Sequence, residues 1–549
     1  MYYIQTLIYM FAQGGDMAYW SEILGGLTGK RLGGNDVYKL PDGEGGTALG
    51  DAEWISDFGV GGNDILTGAD GAVKNTIRGD AHALIDKTSG GDDIIYGGSD
   101  VAFNELSGDA GAIGDFAVGG DDTIYAGEYA TINIVYGDAG SNWNFENDVG
   151  WYGAYDRAVG GNDTIFGADT ATKDVLIGDF DQMRDRARGG DDVIHVGASS
   201  VTEAYGDALI MSDHSSGGDD QIIGGFDATN IRAFGDTKYA YGNVEFGNDM
   251  ISVGGISPTT NTRQLNVVSG DAWEFGGDLV GGNDTLIGGS NQGEGPEFDG
   301  TANFDGVTNS LIGDAHYLND SSSGGDDTIF GGERADFNWM YGDGPQMSGD
   351  STGGDDILYG GDASEFNNLY GDADTLTGTS SGGNDVLYGG DNVWINTLSG
   401  DGYLMSGNAT GGDDILIAAT AFSNTLIGDA RTMSDFTVGG NDTLISSSSS
   451  DTMFGDAVIL GVDAVGGADV FVFSPSGVTA NDRIGDFRQS DGDLIDVSAY
   501  GIDDIEDLII YDNGTSTTVL FETEGTIEGV VLQGFGDSTL LTEDDFIFV

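Results

Sequence analysis

The chain has 549 residues, of which 98 are glycine, five are proline and none is cysteine. Its 18 basic and 93 acidic side chains leave a formal charge of −75, which argues against nucleic acid or an anionic membrane as a partner. Hydrophobic residues make up 39% of the chain and aromatic residues 10%, more than a disordered acidic chain would contain. The composition therefore predicts a folded protein that binds cations, and without cysteine those cations need oxygen ligands.

The first thirteen residues are apolar and aromatic. They lack the basic start of a secretory signal and are too short to span a bilayer, so we expect no transmembrane segment there. We predict that residues 1–32 form either an N-terminal cap on the following structure or an arm that packs on a neighbouring subunit.

A tetrapeptide, Gly-Gly-[Asn/Asp]-Asp, recurs along most of the chain at intervals of about 29 residues, which indicates a repeat architecture. We call its final residue the motif aspartate. The tetrapeptide begins at Gly33, Gly61, Gly90, Gly119, Gly160, Gly189, Gly217, Gly281, Gly324, Gly353, Gly382, Gly411 and Gly439, with variants at Phe246 and Gly466.

A second Gly-Asp pair recurs once in each repeat, and its aspartate is called the corner aspartate here. The next tetrapeptide starts 11 residues after the glycine of this pair, except after Gly137, where an insertion intervenes. Three apolar positions per repeat, such as Ile329, Met340 and Met347, are separated by glycine-rich turns without a helical period, so they indicate strands.

One such repeat cannot bury its apolar side chains alone, whereas stacked repeats can. We therefore predict an all-β fold: a parallel β-solenoid, of the β-roll or β-helix kind, with about fourteen coils of 29 residues, an N-terminal cap and a β-rich C-terminal cap. An asparagine that recurs four residues before the second glycine is expected to form a hydrogen-bonded ladder between coils, although a solvated loop asparagine is the alternative. These asparagines are Asn75, Asn104, Asn133, Asn266, Asn309, Asn338, Asn367, Asn396 and Asn424.

Stacking would place the aspartates of successive coils in columns of like charge, which divalent cations would stabilise. Carboxylate and backbone carbonyl oxygens are hard ligands, so several Ca²⁺ ions are expected. The candidate metal ligands among the motif aspartates are Asp36, Asp64, Asp93, Asp122, Asp163, Asp192, Asp220, Asp249, Asp284, Asp327, Asp356, Asp385, Asp414 and Asp442. Those among the corner aspartates are Asp51, Asp80, Asp109, Asp138, Asp179, Asp207, Asp236, Asp271, Asp314, Asp343, Asp372, Asp401, Asp429 and Asp456. Which of Asp326, Asp327 and Asp343 would hold an ion in their repeat stays open.

The stretch Gly-Asn-Asp-Thr-Leu-Ile-Gly-Gly at 282–289 and its copies resemble the RTX, or hemolysin-type, calcium-binding repeats. That resemblance implies a parallel β-roll with Ca²⁺ between turns and supports the motif aspartates as ligands. The tandem nonapeptide of the family is nowhere intact here, so a coil wider than the two-stranded roll is expected.

The C-terminal segment resembles the C-terminal domain of serralysin-type secreted proteins. The resemblance is carried by Gly-Gly-Ala-Asp-Val-Phe-Val-Phe at 466–473, Asp-Arg-Ile-Gly-Asp-Phe at 482–487, Asp-Leu-Ile-Asp at 493–496 and the acidic-then-apolar end at 544–549. It implies a cap that carries an uncleaved signal for a type I secretion apparatus, and hence an extracellular protein. We accordingly divide the chain into residues 1–32, a calcium-binding solenoid at 33–465 and a cap and secretion domain at 466–549.

No stretch indicates an enzyme: two Gly-x-Ser-x-Gly strings, at 349–353 and 378–382, fall inside repeat spacers and not between a strand and a helix. The insertion after Gly137 is rich in aromatic side chains, which either pack on one another or contact a neighbouring subunit or a saccharide. These candidate partner-binding residues are Trp143, Phe145, Trp151, Tyr152 and Tyr155.

The sequence thus predicts a secreted, calcium-binding structural protein that self-assembles into an extracellular surface layer, filament or matrix. The alternative is a calcium-dependent cell-surface adhesin that binds a polysaccharide.

Overall fold

The computed structural model describes residues 27–28, 32–140, 153–199, 201–257, 263–277, 279–292, 306–475, 482–523 and 526–549. The chain divides into two compact units: residues 1–254 with 270–279, and residues 255–269 with 280–549. Both units are built from short parallel strands, and the predicted parallel β-solenoid is confirmed, with about 14 turns about 29 residues apart.

Each complete coil contributes three strands, one to each of three parallel sheets. In sheet 1 the strands directly follow the motif aspartates, in sheet 2 they lead into the Gly-Asp corners, and in sheet 3 they leave those corners. Three strands per coil agree with the expectation of a coil wider than a two-stranded roll.

The strand bounds of the first unit are as follows. Sheet 1 contains Val37–Lys39, Ile65–Thr67, Ile94–Tyr96, Thr123–Tyr125, Thr164–Phe166, Val193–His195, Gln221–Ile223 and Met250–Ser252. Sheet 2 contains Gly46–Leu49, Lys74–Arg78, Phe103–Ser107, Ile132–Tyr136, Lys173–Ile177, Thr202–Tyr205 and Asn230–Phe234. Sheet 3 contains Leu27–Thr28, Ala52–Ser56, Ala81–Leu84, Ala112–Ile113, Gly153–Ala154, Phe180–Met183, Ala208–Ser212, Thr237–Tyr241 and Ala272–Gly276.

The strands of the second unit occupy the three equivalent sheet positions. Sheet 1 contains Thr285–Ile287, Thr328–Phe330, Ile357–Tyr359, Val386–Tyr388, Ile415–Ile417, Thr443–Ile445, Val470–Val472, Leu494–Asp496 and Phe546–Ile547. Sheet 2 contains Gln264–Ser269, Val307–Ile312, Phe337–Tyr341, Phe366–Tyr370, Val393–Ser399, Ala421–Ile427, Asp451–Phe454 and Asp482–Ile484. Sheet 3 contains Tyr317–Leu318, Gln346–Met347, Ala373–Leu376, Gly402–Met405, Ala430–Met433 and Ala457–Leu460.

The C-terminal segment ends the second unit with a different topology. Thr526–Gln533 pairs in parallel with Asp482–Ile484 and begins an antiparallel meander that continues through Ser516–Thr523 to Ile509–Asp512. Four short 3-10 helices lie at Ser498–Tyr500, Ile505–Asp507, Ser538–Leu540 and Glu543–Asp545. No helix in the described ranges has the length and apolarity needed to cross a membrane.

The core of each coil consists of one inward side chain from each sheet. Ile329, Met340 and Met347 are fully or almost fully buried, as are their equivalents in neighbouring coils. On the outer side of sheet 1 aromatic rings stack in register, for example Tyr359 between Phe330 and Tyr388 at centroid distances of 4.9 and 4.7 Å. The stacked rings show that equivalent residues of successive coils lie directly over one another.

The predicted asparagine ladder is confirmed in both units. In the first unit Asn75 donates to Asn104 and Asn104 to Asn133, with Nδ2–Oδ1 distances of 2.9 and 2.8 Å. In the second unit the same bond runs from Asn266 through Asn309, Asn338, Asn367 and Asn396 to Asn424. Because each amide is both donor and acceptor, the ladder fixes the register of the coils from within.

Candidate metal centre

Within each unit, the motif aspartates form a column of hydrogen bonds from coil to coil. The backbone N–H of Asp64 donates to Oδ1 of Asp93, and that of Asp93 to Oδ1 of Asp122, both at 2.6 Å. In the second unit the N–H groups of Asp327 and Asp356 make the same bond at 2.7 Å to the following motif aspartate. One carboxylate oxygen of each motif aspartate is thus occupied by the preceding coil.

The corner aspartates reach the same place from the other end of the turn. Oδ1 of Asp343 accepts the N–H of Gly354, the second glycine of the next tetrapeptide, at 2.8 Å. This bond spans 11 residues and explains why the spacer keeps its length. Where the insertion lengthens the spacer, the same bond survives between Asp138 and Gly161 at 3.0 Å.

Glycine is required at these turns because neighbouring coils approach too closely for a side chain. A Cβ on Gly354 would lie 1.6 Å from the carbonyl oxygen of Gly325 in the preceding coil. A Cβ on Gly342 would lie 1.9 Å from Oδ2 of Asp356 and 1.7 Å from the carbonyl oxygen of Gly371. The absence of Cβ atoms therefore lets carboxylate and carbonyl oxygens gather at one corner of the coil.

The two aspartate series converge into clusters of three carboxylates. Each cluster contains a motif aspartate, the corner aspartate that follows it and the next motif aspartate, with one ligand oxygen from each lying within 4.8 Å of the others. The clusters are Asp36–Asp51–Asp64, Asp64–Asp80–Asp93, Asp93–Asp109–Asp122, Asp122–Asp138–Asp163 and Asp163–Asp179–Asp192. Successive clusters share a motif aspartate and form a single row in the first unit. We call this row, together with the other buried motif and corner aspartates of both units, the aspartate column.

In most of the motif and corner aspartates, the second carboxylate oxygen is buried and has no hydrogen-bond partner among the described residues. Among the motif aspartates this holds for Asp64, Asp93, Asp122, Asp163, Asp192, Asp220, Asp327, Asp356, Asp385, Asp414, Asp442 and Asp469. Among the corner aspartates it holds for Asp80, Asp109, Asp138, Asp179, Asp207, Asp343, Asp372, Asp401 and Asp429. A buried acceptor without a donor is destabilising. The described residues supply no donor to these oxygens, so a bound cation would stabilise the column.

The electrostatics of the column show the same deficit. Burial, reinforced by the neighbouring carboxylates of Asp343, Asp385 and Asp327, raises the pKa of Asp356 well above its usual range. Burial likewise raises the pKa of Asp343 to about 7, although the N–H of Gly354 opposes the shift. Without a cation, the column would bind protons near neutral pH.

The structure separates the three aspartates of the 324–343 repeat. Asp327 and Asp343 are buried in the aspartate column, whereas Asp326 is exposed and its N–H donates to Oδ1 of Asn283 at 3.0 Å. Oδ1 of Asp326 in turn accepts the N–H of Asp355 at 3.0 Å, so this position forms a second, solvent-facing ladder. Only the two buried members of the repeat make the hydrogen bonds that are typical of the motif and corner aspartates.

The other predicted site residues fall into two groups. All motif and corner aspartates named from the sequence are buried, except Asp36, which is partly exposed. Of the predicted aromatic contact residues, Trp143, Phe145, Trp151 and Tyr152 lie outside the described residues. Tyr155 is partly exposed and its ring packs over Gly114.

Two aspartates at the C-terminal end of the column, Asp469 and Asp493, were not among the metal ligands predicted from the sequence. Asp469 is fully buried, accepts the N–H of Asp442 at 3.0 Å and donates its own N–H to Asp493 at 3.3 Å. Asp469 could have been predicted from the Gly-Gly-Ala-Asp variant at 466, but this variant was assigned to the C-terminal cap and not to the repeats. Asp493 follows after 24 residues instead of about 29, so spacing did not reveal it.

The donor set fits a hard metal ion, because buried carboxylate oxygens converge in every cluster with no nitrogen or sulfur side chain among them. The repeated aspartate clusters could therefore hold metal ions. No protein-family model, curated protein or solved structure matches the chain, so its function has to be inferred from these residues.

Proposed function

We propose that this protein is a secreted, calcium-binding structural protein whose coils close around a file of Ca²⁺ ions. The observation that carries the proposal is the aspartate column: buried carboxylates converge in it, and most of them have an oxygen without a donor among the described residues. A cation between successive coils would satisfy these oxygens and cancel the repulsion between them.

Calcium is the ion that suits this donor set best. Ca²⁺ accepts six to eight oxygen ligands in irregular geometry, including carboxylates and backbone carbonyls, whereas Mg²⁺ demands a near-ideal octahedron and retains water. Each cluster offers several carboxylate oxygens, and the corner turns bring glycine carbonyls close to them. Shared motif aspartates would let one carboxylate bridge two ions, so that binding at one cluster favours binding at the next.

Metal binding of this kind would be coupled to folding. The clusters join residues from different coils, so they do not exist in the unfolded chain, and the binding free energy contributes directly to folding. Extracellular Ca²⁺ modules bind at about 10⁻⁴ to 10⁻³ M. The chain would stay unfolded at cytosolic calcium and fold outside the cell, which agrees with the resemblance of its C-terminal segment to type I secretion domains.

A structural role is supported by how much of the chain the repeats occupy. Motif and corner aspartates recur from Asp36 to Asp469, so most of this sequence is repeat scaffold. Parallel strands at the end of a solenoid pair readily with further strands, so assembly of copies into a filament, layer or matrix follows naturally.

The test compares purified protein in 5 mM Ca²⁺, in 5 mM Mg²⁺ and in excess EDTA. We expect a strong β-sheet circular dichroism signal and ordered polymers in electron micrographs only with Ca²⁺. An unchanged β-sheet signal in EDTA would contradict the metal proposal. Dispersed monomers that are folded in Ca²⁺ would contradict assembly alone, and saturable polysaccharide binding by those monomers would favour the adhesin instead.

A further inference from the structure

The C-terminal end of the aspartate column differs from the rest in one contact. Asp456 occupies the corner position of its coil, and its Oδ1 accepts the N–H of Gly467 at 2.5 Å, as Asp343 does with Gly354. Oδ2 of Asp343 has no partner, but Oδ2 of Asp456 lies 2.7 Å from Nη1 of Arg488. A guanidinium therefore contacts an oxygen that nine other corner aspartates leave without a hydrogen-bond partner among the described residues.

Arg488 is held in this place by its own backbone. Its N–H donates to Oδ2 of Asp493 at 2.6 Å, while Oδ1 of Asp493 accepts the N–H of Asp469. The arginine side chain is 33% exposed but Asp456 is 1% exposed, so the charge reaches from the surface into a buried site. A charge-assisted bond to a buried carboxylate is stronger than a surface ion pair, because water competes less for it.

The next corner aspartate does not extend the column. The carboxylate of Asp486 turns back and accepts the N–H groups of Gly455, Asp456 and Ala457 at 2.9, 3.1 and 3.2 Å. All three bonds go to the preceding corner. Asp456 interacts electrostatically with both Asp442 and Asp469. These three carboxylates, which we call the last cluster, end the series of motif and corner aspartates, and Arg488 contacts one of them.

We propose that Arg488 is a tethered cation that takes the place of a metal ion in the last cluster, so that the row of bound ions ends before this cluster. This inference rests on the proposed binding of Ca²⁺ in the preceding clusters. Its consequence is that the chain itself supplies the positive charge in the last cluster, where a metal ion supplies it in the preceding ones.

Native mass spectrometry of the full chain, saturated with Ca²⁺ and desalted, tests this by counting bound ions. Arg488→Gln should bind one more Ca²⁺ per chain than the wild type, because Asp442, Asp456 and Asp469 then face an empty position. Arg488→Lys keeps the charge and should bind the wild-type number. Arg483→Gln is the matched control, since it removes the same charge from an exposed position in the same segment.

The outcomes separate the two proposals. If the wild type binds no Ca²⁺, the proposed function fails and this inference fails with it. If the wild type binds several ions but Arg488→Gln binds no more than Arg483→Gln, only the role of Arg488 is overturned. If Arg488→Gln does not fold in Ca²⁺, ion counts for Arg488→Lys decide: an additional ion would overturn the inference, and the wild-type number would support it.

Discussion

Two polar columns run along the inside of the first unit, and they are built from side chains of nearly the same shape. In the asparagine ladder, Nδ2 of Asn104 donates to Asn133 at 2.8 Å and to the carbonyl oxygen of Gly98 at 2.9 Å. In the aspartate column, Oδ1 of Asp93 accepts the N–H of Asp64, but Oδ2 has no donor. The amide column is therefore complete, and the carboxylate column is not.

The difference shows what stacking identical residues does to each group. An amide carries donors and an acceptor, so a stack of amides satisfies itself, whereas a carboxylate only accepts, so a stack of carboxylates accumulates unmet acceptors and repulsion. The exceptions follow the same rule. The ladder accommodates Asp174 where Ser199 Oγ and the N–H of Ala168 supply donors, and the aspartate column ends where Arg488 supplies a cation.

The largest expected effect is a pH dependence that belongs to the aspartate column alone. Burial raises the pKa of Asp343 and of Asp401 to about 7, against about 4 in an unfolded chain. Between these values the folded state holds protons that the unfolded state has released, so metal-free stability falls as pH rises from 4 to 7. Three pKa units correspond to about 4 kcal/mol for a single group, and the column contains many coupled groups.

The β-sheet circular dichroism signal in EDTA between pH 7.5 and 5 measures this dependence, because protonation can relieve the repulsion that the missing cation leaves. We expect the metal-free chain, unfolded at pH 7.5, to regain the signal on acidification, and the calcium-loaded protein to show no such response. Repeating the series in 0.5 M NaCl is the control, because salt screens surface charges but hardly affects buried ones. A metal-free signal that stays level over this range would contradict the comparison.

A smaller effect is expected from placing a charge in the asparagine ladder. Asn367→Asp removes the donor to Asn396 and to the carbonyl oxygen of Gly361. Asn338 still donates to one oxygen of the new buried charge, but the other oxygen faces two acceptors, so we expect a destabilisation of about 3–5 kcal/mol. Asn338→Asp should be milder, because Ser364 Oγ lies 3.4 Å from Nδ2 of Asn338 and matches the position of Ser199 beside Asp174.

Urea unfolding in saturating Ca²⁺ compares the two variants without involving the aspartate column. Equal losses of unfolding free energy would show that a nearby hydroxyl does not rescue the carboxylate. The explanation given for Asp174 would then be wrong.

The fold was well predicted from the sequence because every coil repeats the same pattern of apolar residues and turns. Residues such as Leu66, Ile95 and Ile124 recur at one position, and their burial in one sheet follows from stacking at fixed register. The asparagine ladder was predictable for the same reason. Periodicity specifies which residues lie over one another, and nothing more is needed for sheets and ladders.

The site was less predictable because it depends on how one coil closes. Periodicity places Asp80 over Asp51 and Asp93 over Asp64, but it does not reveal that the two series meet in one cluster. That meeting depends on the spacer returning Gly91 to the carboxylate of Asp80, at 2.9 Å. Arg488 lies outside the repeat, so no period identifies it.

The smallest and most specific effect is expected from Asp93→Asn, whose effect on the stability of the fold should reverse in sign between EDTA and Ca²⁺. Asp93 is shared by two clusters, and burial together with Asp80 raises its pKa well above the usual range. In EDTA, at the pH where the metal-free chain is half folded, Asp93→Asn removes one charge from this group and should stabilise the fold by about 1–3 kcal/mol, given the Coulomb energy of close carboxylates at an effective dielectric near 20. In Ca²⁺, the same change removes a ligand from two clusters and should raise the calcium concentration at the folding midpoint several-fold.

Asp92→Asn is the matched control for this variant. Asp92 is the exposed neighbour in the same tetrapeptide, and its Oδ2 accepts from Asn63 at 3.1 Å on the outside of the coil. It loses the same formal charge, so any effect of net charge appears in both variants. Asp93→Asn should raise the stability of the fold in EDTA and lower it in Ca²⁺, whereas Asp92→Asn should show no such reversal. This result would mean that the buried carboxylates repel one another unless a cation is bound between them. The same sign in both conditions would mean that the aspartate column is a stack of hydrogen-bond acceptors like the ladder, and that the contrast between the two columns does not hold.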